Sequence, residues 1–323
     1  MMKFGPPQVL SIVPFASAPN SWHNSRRVNG LTFVLFSLPL QRSLIMKIKL
    51  LALFLCMFLG ACATQSTNAD SDYKPMRGQM GKDVMWLQTA QNLVNQMLAM
   101  AQIKSDDVVY DLGAGDGIIP ITASKVYGVQ SVGIEYHQKL ADFAKKNAIQ
   151  AGVGDKVNII KGDIFVEDFS KATVVTMYLL PELNLQLRTT LLQMKPGTRV
   201  VSHEFDMGEW QHDQFYTDGK EKAFLWIVPA NVKGVWHLKD SDAKLDARIQ
   251  IDQQFQSIGG TITYAGQQKP LLGAQIKGAQ IRFQFVASDD SLFTVQATLN
   301  QNTMSGELWA WGRTLPFEIQ RQP

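Results

Sequence analysis

Apolar residues along residues 82–230 follow two alternating patterns, helical spacing and short continuous runs. Residues 89–101 show the helical pattern, with Thr89 as the expected N-cap, and residues 118–126, 138–151 and 183–194 also favour helices. The apolar runs between them predict strands at residues 108–112, 131–136, 157–160, 172–179, 198–205 and 223–228. Strands that alternate with helices predict βαβ units, and hence a parallel sheet with right-handed crossovers.

The pattern changes beyond residue 230, where no segment of helical length stands out. Short strands are predicted instead at residues 232–238, 247–255, 260–264, 280–286, 292–299, 306–309 and 315–319. Turn-forming residues such as those at 259–260 and 288–290 separate several of them. We therefore expect a small antiparallel β-barrel or sandwich to follow the α/β sheet.

The N-terminal region has the layout of a secretory signal peptide. From Met46, two lysines precede an apolar run at residues 50–59, which is too short to span a bilayer as a mature helix. Residues 59–62 (LGAC) resemble a bacterial lipobox, which implies that Cys62 is the lipidated first residue of the mature protein. The resemblance predicts a membrane-anchored lipoprotein of the bacterial cell envelope.

The predicted segments follow from these patterns. Residues 1–45 are an upstream extension, because the signal begins so clearly at Met46, and residues 46–62 are the lipoprotein signal peptide. The polar residues 63–81 form a linker, residues 82–230 the α/β domain, and residues 231–323 the β-rich domain.

Composition excludes several kinds of site. Both cysteines, Cys56 and Cys62, lie in the signal, so the mature domains contain no disulfide and no cysteine metal site. The five histidines are scattered without metal-ligand spacing, and we expect no metal. A formal net charge of +3, with the basic residues spread along the chain, argues against nucleic-acid binding.

Residues 108–117 (VVYDLGAGDG) combine a strand, an acid and a glycine-rich loop. Gly113 and Gly115 allow the backbone to adopt positive φ and approach a ligand closely, with Ala114 between them, and Gly117 allows the next helix to pack close to the strand. That helix presents unpaired N–H groups at its N-terminus, and Asp111 suits an ammonium group. The spacing differs from the NAD fingerprint, and no Walker motif follows.

Two further acids end the next two predicted strands. Glu135 can accept both hydroxyls of a ribose, and Tyr136 beside it is a further cofactor-binding candidate. Asp163 can accept an adenine amino group while Ile164 packs on the ring. These residues predict a nucleotide-like ligand at the ends of the first three strands.

In order and spacing, Asp111, Gly113, Gly115, Glu135 and Asp163 resemble the cofactor motifs of class I S-adenosylmethionine (SAM)-dependent methyltransferases. The resemblance implies a Rossmann-like seven-strand sheet and SAM as cofactor. Five further segments narrow the resemblance to one group of these enzymes. They are residues 84–89 (VMWLQT), 110–113 (YDLG), 178–181 (YLLP), 195–202 (KPGTRVVS) and 225–229 (LWIVP). These segments look like those of the lysine methyltransferases that modify the c-subunit of ATP synthase and the adenine nucleotide translocase.

In that fold the end of the fourth strand borders the transferred methyl group, which makes Tyr178, Pro181 and Glu182 the catalytic candidates. Tyr178 would hydrogen-bond an amine and Pro181 would shape its channel. The expected activity is methyl transfer to a protein lysine. The alternatives are a small-molecule acceptor, or an exported binding lipoprotein whose Rossmann domain is non-catalytic. The lipid anchor conflicts with the supply of SAM, which is made in the cytoplasm.

Overall fold

The computed structural model describes residues 73–240 and 245–322, and Ala69–Pro323 cluster as one compact unit. The predicted extension, signal peptide and lipidation site at Cys62 lie outside the described residues and stay predictions. Among the helices that are described, none has the length and hydropathy needed to cross a membrane.

A seven-stranded sheet with four helices makes up the first part of the described chain. Its strands are β1 (Val108–Leu112), β2 (Gln130–Glu135), β3 (Val157–Lys161), β4 (Val174–Met177), β5 (Arg199–His203), β6 (Gln214–Thr217) and β7 (Lys222–Ile227). Its helices are α1 (Gln91–Met100), α2 (Ile118–Tyr127), α3 (Gln138–Gln150) and α4 (Pro181–Leu192). The strand order is β3-β2-β1-β4-β5-β7-β6, which confirms the expected Rossmann-like methyltransferase sheet.

The sheet is mixed rather than wholly parallel as the pattern predicted. Strands β1 to β5 pair in parallel, but β7 runs antiparallel to β5, and β6 to β7. Parallel neighbours need a long crossover, usually a helix, and residues 204–221 contain none. The chain therefore turns back through the short β6, which the sequence pattern did not predict.

The first helix begins later than predicted, and Thr89 is not its cap. α1 starts at Gln91 after Ala90, and no side chain caps its first turn. Thr89 is buried, and its hydroxyl lies 3.2 Å from Nδ1 of His203 at the end of β5. A tertiary partner has thus replaced the local capping bond that its sequence position suggested.

Residues 73–90, which we call the strap, precede α1. The Trp86 amide donates to the Gln79 carbonyl at 2.8 Å, and the Gly78 amide donates to the Trp86 carbonyl at 2.9 Å. Gly81 and Val84 close the turn between them with a 2.8 Å backbone bond. The strap is therefore a small hairpin that presents its tip, including Lys82, to the rest of the molecule.

An antiparallel sheet of nine strands follows in the described residues. They are β8 (Gly234–Asp240), β9 (Leu245–Gln254), β10 (Ser257–Tyr264), β11 (Gln267–Pro270), β12 (Leu272–Lys277), β13 (Gln280–Val286), β14 (Leu292–Asn300), β15 (Thr303–Ala310) and β16 (Arg313–Arg321). The order is β11-β10-β9-β8-β16-β15-β14-β13-β12. Only Leu271 separates the two edge strands along the chain, so the edges must meet and the sheet curls into a nearly closed barrel.

Large apolar side chains fill this barrel. Trp236, Phe283, Phe285 and Phe293 are fully buried inside it, and Trp236 Nε1 donates to the Val232 carbonyl at 2.9 Å. The prediction of an antiparallel barrel or sandwich is confirmed, and the structure is the barrel. The pattern missed β11 and β12, because residues 267–277 lack the regular apolar alternation of their neighbours.

One aromatic side chain joins the barrel to the first sheet. Phe255 occupies the tip of the β9–β10 hairpin with φ +55° and packs against the apolar core beneath α4. Its ring stacks on Trp210 with centroids 6.2 Å apart, and the Arg188 guanidinium lies 5.5 Å from the ring centroid. The Ala230 amide adds a 2.8 Å bond to the Gly278 carbonyl.

We expect Phe255→Ala to lower the free energy of unfolding by about 1–3 kcal/mol, because the contacts with Trp210 and Arg188 are lost. Urea denaturation followed by tryptophan fluorescence would measure the loss. Phe255→Leu is the matched control, since it faces the same backbone constraint but keeps apolar volume, and it should recover most of the stability. Equal destabilisation by the two substitutions would assign the effect to the aromatic ring rather than to apolar volume, and a Phe255→Ala variant as stable as wild type would show that these contacts contribute nothing.

Candidate functional site

The glycine-rich loop adopts a left-handed backbone at each of its glycines. Gly113, Gly115 and Gly117 have φ of +82°, +56° and +82°. The amides of Gly113 and Ala114 both donate to the Ile134 carbonyl in β2 at 2.9 Å. The loop is thereby held against the carboxyl end of β2, and side chains at these glycine positions would be strained.

Each glycine also allows a different close approach. A Cβ on Gly115 would lie 2.4 Å from Trp86 Nε1, so the strap passes directly over the loop. A Cβ on Gly117 would lie 3.1 Å from Ala144 Cβ. Gly117 therefore lets α3 approach the start of α2, whereas the sequence argument assigned it to packing between helix and strand.

Three carboxylates are buried around this loop. Asp111, at the end of β1, accepts a 2.7 Å hydrogen bond from the Thr176 hydroxyl. Glu135, at the end of β2, accepts the Gly115 amide at 2.9 Å and the amide of residue 137 at 2.8 Å. Asp116 accepts Nε2 of the strap residue Gln88 at 2.7 Å.

Burial governs the ionisation of these acids. It raises the pKa of Asp111 to about 7, aided by the negative charges of Asp116 and Glu135 and opposed by the Thr176 hydroxyl. Burial also raises the pKa of Glu135, although its two backbone N–H donors favour the charged form, and it raises the pKa of Asp116. A cation bound among these groups would stabilise their ionised forms.

Asp163 and Tyr136 face the tip of the strap. Lys82 Nζ lies 2.7 Å from Asp163 Oδ2, and this partner holds the pKa of Asp163 below its usual value. Lys82 also lies 5.5 Å from the ring centroid of Tyr136. Ile164 packs against the apolar core beside β4. Asp163 thus lies beyond β3 as expected, with the strap already bound to it.

A pocket opens at the carboxyl ends of β1 and β2, between the glycine loop and the strap. Asp111, Gly113, Ala114, Gly115 and Glu135 line it among the predicted cofactor residues, and Tyr178 among the catalytic candidates. Gly117, Tyr136, Asp163 and Ile164 lie outside this lining, as do Pro181 and Glu182. Pro181 is the first residue of α4, and Glu182 is an exposed acid in its first turn.

Several residues of the site were not identified from the sequence. Gln88, Asp116 and His137 line the pocket. Nδ1 of His137 is buried without a partner in the described residues. Lys82 contributes the ion pair to Asp163. The only local signal was the acid at position 116, inside a loop already identified as ligand-binding.

The pocket fits the SAM expected from the sequence. SAM carries positive charge, and Asp111, Asp116 and Glu135 supply buried carboxylates whose ionised forms a cation would favour. Glu135 presents two carboxylate oxygens where ribose hydroxyls would need acceptors. The glycine backbone leaves room that a Cβ at Gly115 would fill. These residues can hold a cationic nucleoside, with Asp111 suited to its ammonium group.

Comparison with known proteins agrees with a methyltransferase site. The model of the ANTKMT methyltransferase domain matches residues 111–214. A protein-lysine N-methyltransferase of Saccharolobus islandicus is 45% identical over 129 residues, which span 39% of this chain and 80% of that protein. The adenine nucleotide translocase lysine N-methyltransferase of Mus musculus is 29% identical over 120 residues, covering 36% of this chain and 52% of the relative.

Among solved structures, an RNA methyltransferase from Salinibacter ruber in complex with S-adenosyl-L-homocysteine aligns at 45% identity and a TM-score of 0.45. The alignment covers 45% of this chain and 96% of that one. The family match includes Asp111, Glu135, Asp163 and Tyr178, and the relative from Saccharolobus is aligned over most of its length. The chain therefore belongs to the SAM-dependent methyltransferases of the ANTKMT methyltransferase domain family.

Proposed function

We propose that this methyltransferase transfers a methyl group to the side-chain amine of a protein lysine. The observation that carries the proposal is the position of Tyr178, whose ring lines the cofactor pocket immediately after β4. Burial, together with the charges of Glu204 and Glu221, raises the pKa of its phenol. The charge of Arg77 acts in the opposite direction but is the smallest of these influences, so the net negative charge beside the phenol favours a cationic acceptor over a neutral one. Two relatives described as lysine N-methyltransferases give independent support.

One set of residues would bind the methyl donor, and another would position the acceptor. SAM, when bound, supplies a methyl group activated by its positively charged sulfur. Asp111 and Glu135 would hold the donor through its ammonium and ribose groups, while Trp86 covers the glycine loop and excludes water. Tyr178 keeps its proton, so it would orient the amine through a hydrogen bond rather than act as a base. Alignment of the two reactants is the main contribution expected from the protein.

The transfer is tested with labelled SAM and poly-L-lysine, using acetylated poly-L-lysine as the acceptor without free amines. We expect label in poly-L-lysine alone, recovered after hydrolysis as N-methyl-lysine by mass spectrometry. Tyr178→Phe should lower kcat by about tenfold, because one orienting hydrogen bond is removed. Label that appears instead in an RNA or lipid fraction of a cell extract, with none in the amine polymer, would contradict the proposal.

Gly115→Ala should weaken SAM binding by about tenfold or more, because the new Cβ would meet Trp86 Nε1 and force the strap away from the loop. Isothermal titration calorimetry would measure the affinity. Gly152→Ala is the matched control, since Gly152 also has a left-handed backbone, φ +75°, but no atom within 4 Å of the added Cβ. Equal weakening in the two variants would assign the effect to backbone strain rather than to the strap.

The affinity for SAM should rise as pH increases from about 5.5 to 7.5. With its pKa raised from 3.8 to about 7, Asp111 is protonated at the lower pH and must lose that proton to bind an ammonium group. Calorimetry in two buffers of different ionisation enthalpy should detect the released proton. Asp111→Asn should bind weakly without this pH dependence, whereas the exposed Asp106→Asn should behave like wild type. Proton release that persists in Asp111→Asn would exclude Asp111 as its source.

The same pKa shift has a separate consequence for the ligand-free fold. The unfolded chain loses the Asp111 proton near pH 4, whereas the folded protein keeps it until about pH 7. The contribution of Asp111 to folding stability therefore falls as pH rises between these values and is constant above them.

A further inference from the structure

A buried histidine lies behind Tyr178. The rings of Tyr178 and His203 have centroids 3.8 Å apart and planes inclined by 35°. The His203 side chain is 4% exposed; Nδ1 lies 3.2 Å from the Thr89 hydroxyl, and Nε2 lies 3.9 Å from Glu221 Oε1. The strap, the end of β5 and the start of β7 therefore meet at one imidazole.

This imidazole is neutral at pH 7, since burial lowers the pKa of His203 to about 4. A neutral imidazole carries one N–H, and the Glu221 carboxylate beside Nε2 favours the proton there. Nδ1 is then free to accept the Thr89 hydroxyl hydrogen. His203 is thus held by polar groups on two sides and offers its face to the phenol ring.

Two carboxylates act on the same tyrosine but differ in their partners. Glu204 and Glu221 both raise the pKa of Tyr178, and each side chain is 29% exposed. Glu204 is paired with Lys222, whose Nζ lies 3.3 Å from its Oε1. Among the side chains that the structure describes, the ion pairs within 4.0 Å include no lysine or arginine at the Glu221 carboxylate. Glu221 is therefore the charge available to an incoming cation.

We propose that Glu221 receives the ammonium group of the acceptor, and that His203 is a positioning residue that holds Tyr178 beside it. This inference rests on the proposed lysine acceptor. The ammonium gives one proton to the Glu221 carboxylate, and the nitrogen lone pair then forms the N–C bond to the methyl group. The C–S bond breaks with its electron pair left on sulfur. Glu221 is partly exposed, so it returns the proton to water.

Glu221 is tested with the full chain, SAM and poly-L-lysine. Glu221→Gln should raise KM for the polymer at least tenfold and leave Kd for SAM unchanged. Glu204→Gln should raise KM less than threefold, because the ion pair with Lys222 already offsets part of that charge. Glu209→Gln, which removes an exposed acid between β5 and β6, should match wild type. Equal losses in Glu204→Gln and Glu221→Gln would overturn the assignment.

The result for the wild-type chain separates this inference from the function on which it depends. An active wild type whose Glu221→Gln variant keeps its KM would overturn the role of Glu221 alone. A wild type that binds SAM but methylates no amine would overturn the proposed function and this inference with it.

The positioning role of His203 is tested by a double-mutant cycle on kcat. His203→Gln should lower kcat about tenfold in the wild-type background, with Kd for SAM unchanged. It should have no further effect in a Tyr178→Phe background, because it acts through that tyrosine. His203→Asn, which keeps a polar atom near Thr89, should recover part of the loss. Additive losses in the cycle would overturn the positioning role.

Discussion

The burial of three carboxylates around one glycine loop is the constraint on which this site depends. Asp111, Asp116 and Glu135 are 3%, 8% and 7% exposed, and burial raises the pKa of all three. An uncompensated buried charge is costly. The protein compensates only in part, through hydrogen bonds that these carboxylates accept from the Gly115 and His137 amides, the Thr176 hydroxyl and the Gln88 side-chain amide. Without a ligand, protonation removes part of this charge, and a positively charged ligand such as SAM would instead favour the ionised carboxylates.

The other elements can be understood as supports for this arrangement. The strap covers the loop with Trp86, donates to Asp116 through Gln88 and pairs Lys82 with Asp163, so one hairpin contacts both ends of the ligand cleft. The barrel contacts the opposite side of the sheet core, where Phe255 packs beneath α4. Since α4 begins three residues after Tyr178, a fixed α4 helps to fix the tyrosine.

Local sequence patterns predicted the elements and the loop, and non-local contacts explain the misses. The acids at 111, 135 and 163 could be identified because each lies near the carboxyl end of an apolar strand. Lys82 and Asp163 lie 81 positions apart, and no periodicity connects them. Thr89 looked like a helix cap because its partner His203 is 114 positions away. The antiparallel direction of β7 was not predicted, because an apolar run indicates a strand but not the direction in which it pairs.

The proposed methyl transfer from SAM to lysine would bring two positive charges together. The acids on the donor side of the site are more deeply buried than those on the proposed acceptor side. The donor keeps its charge until the reaction, so deeply buried carboxylates such as Asp111 suit it. A lysine acceptor would first lose a proton, which needs a route to water, and in the proposed role Glu221, 29% exposed, would provide that route. Tyr178 lies between the two sets with a phenol that stays protonated. In the proposed reaction, the neutral phenol of Tyr178 separates the buried carboxylates near the donor from the more exposed carboxylates near the acceptor. The charge of the donor and the charge of the acceptor can then be neutralised independently.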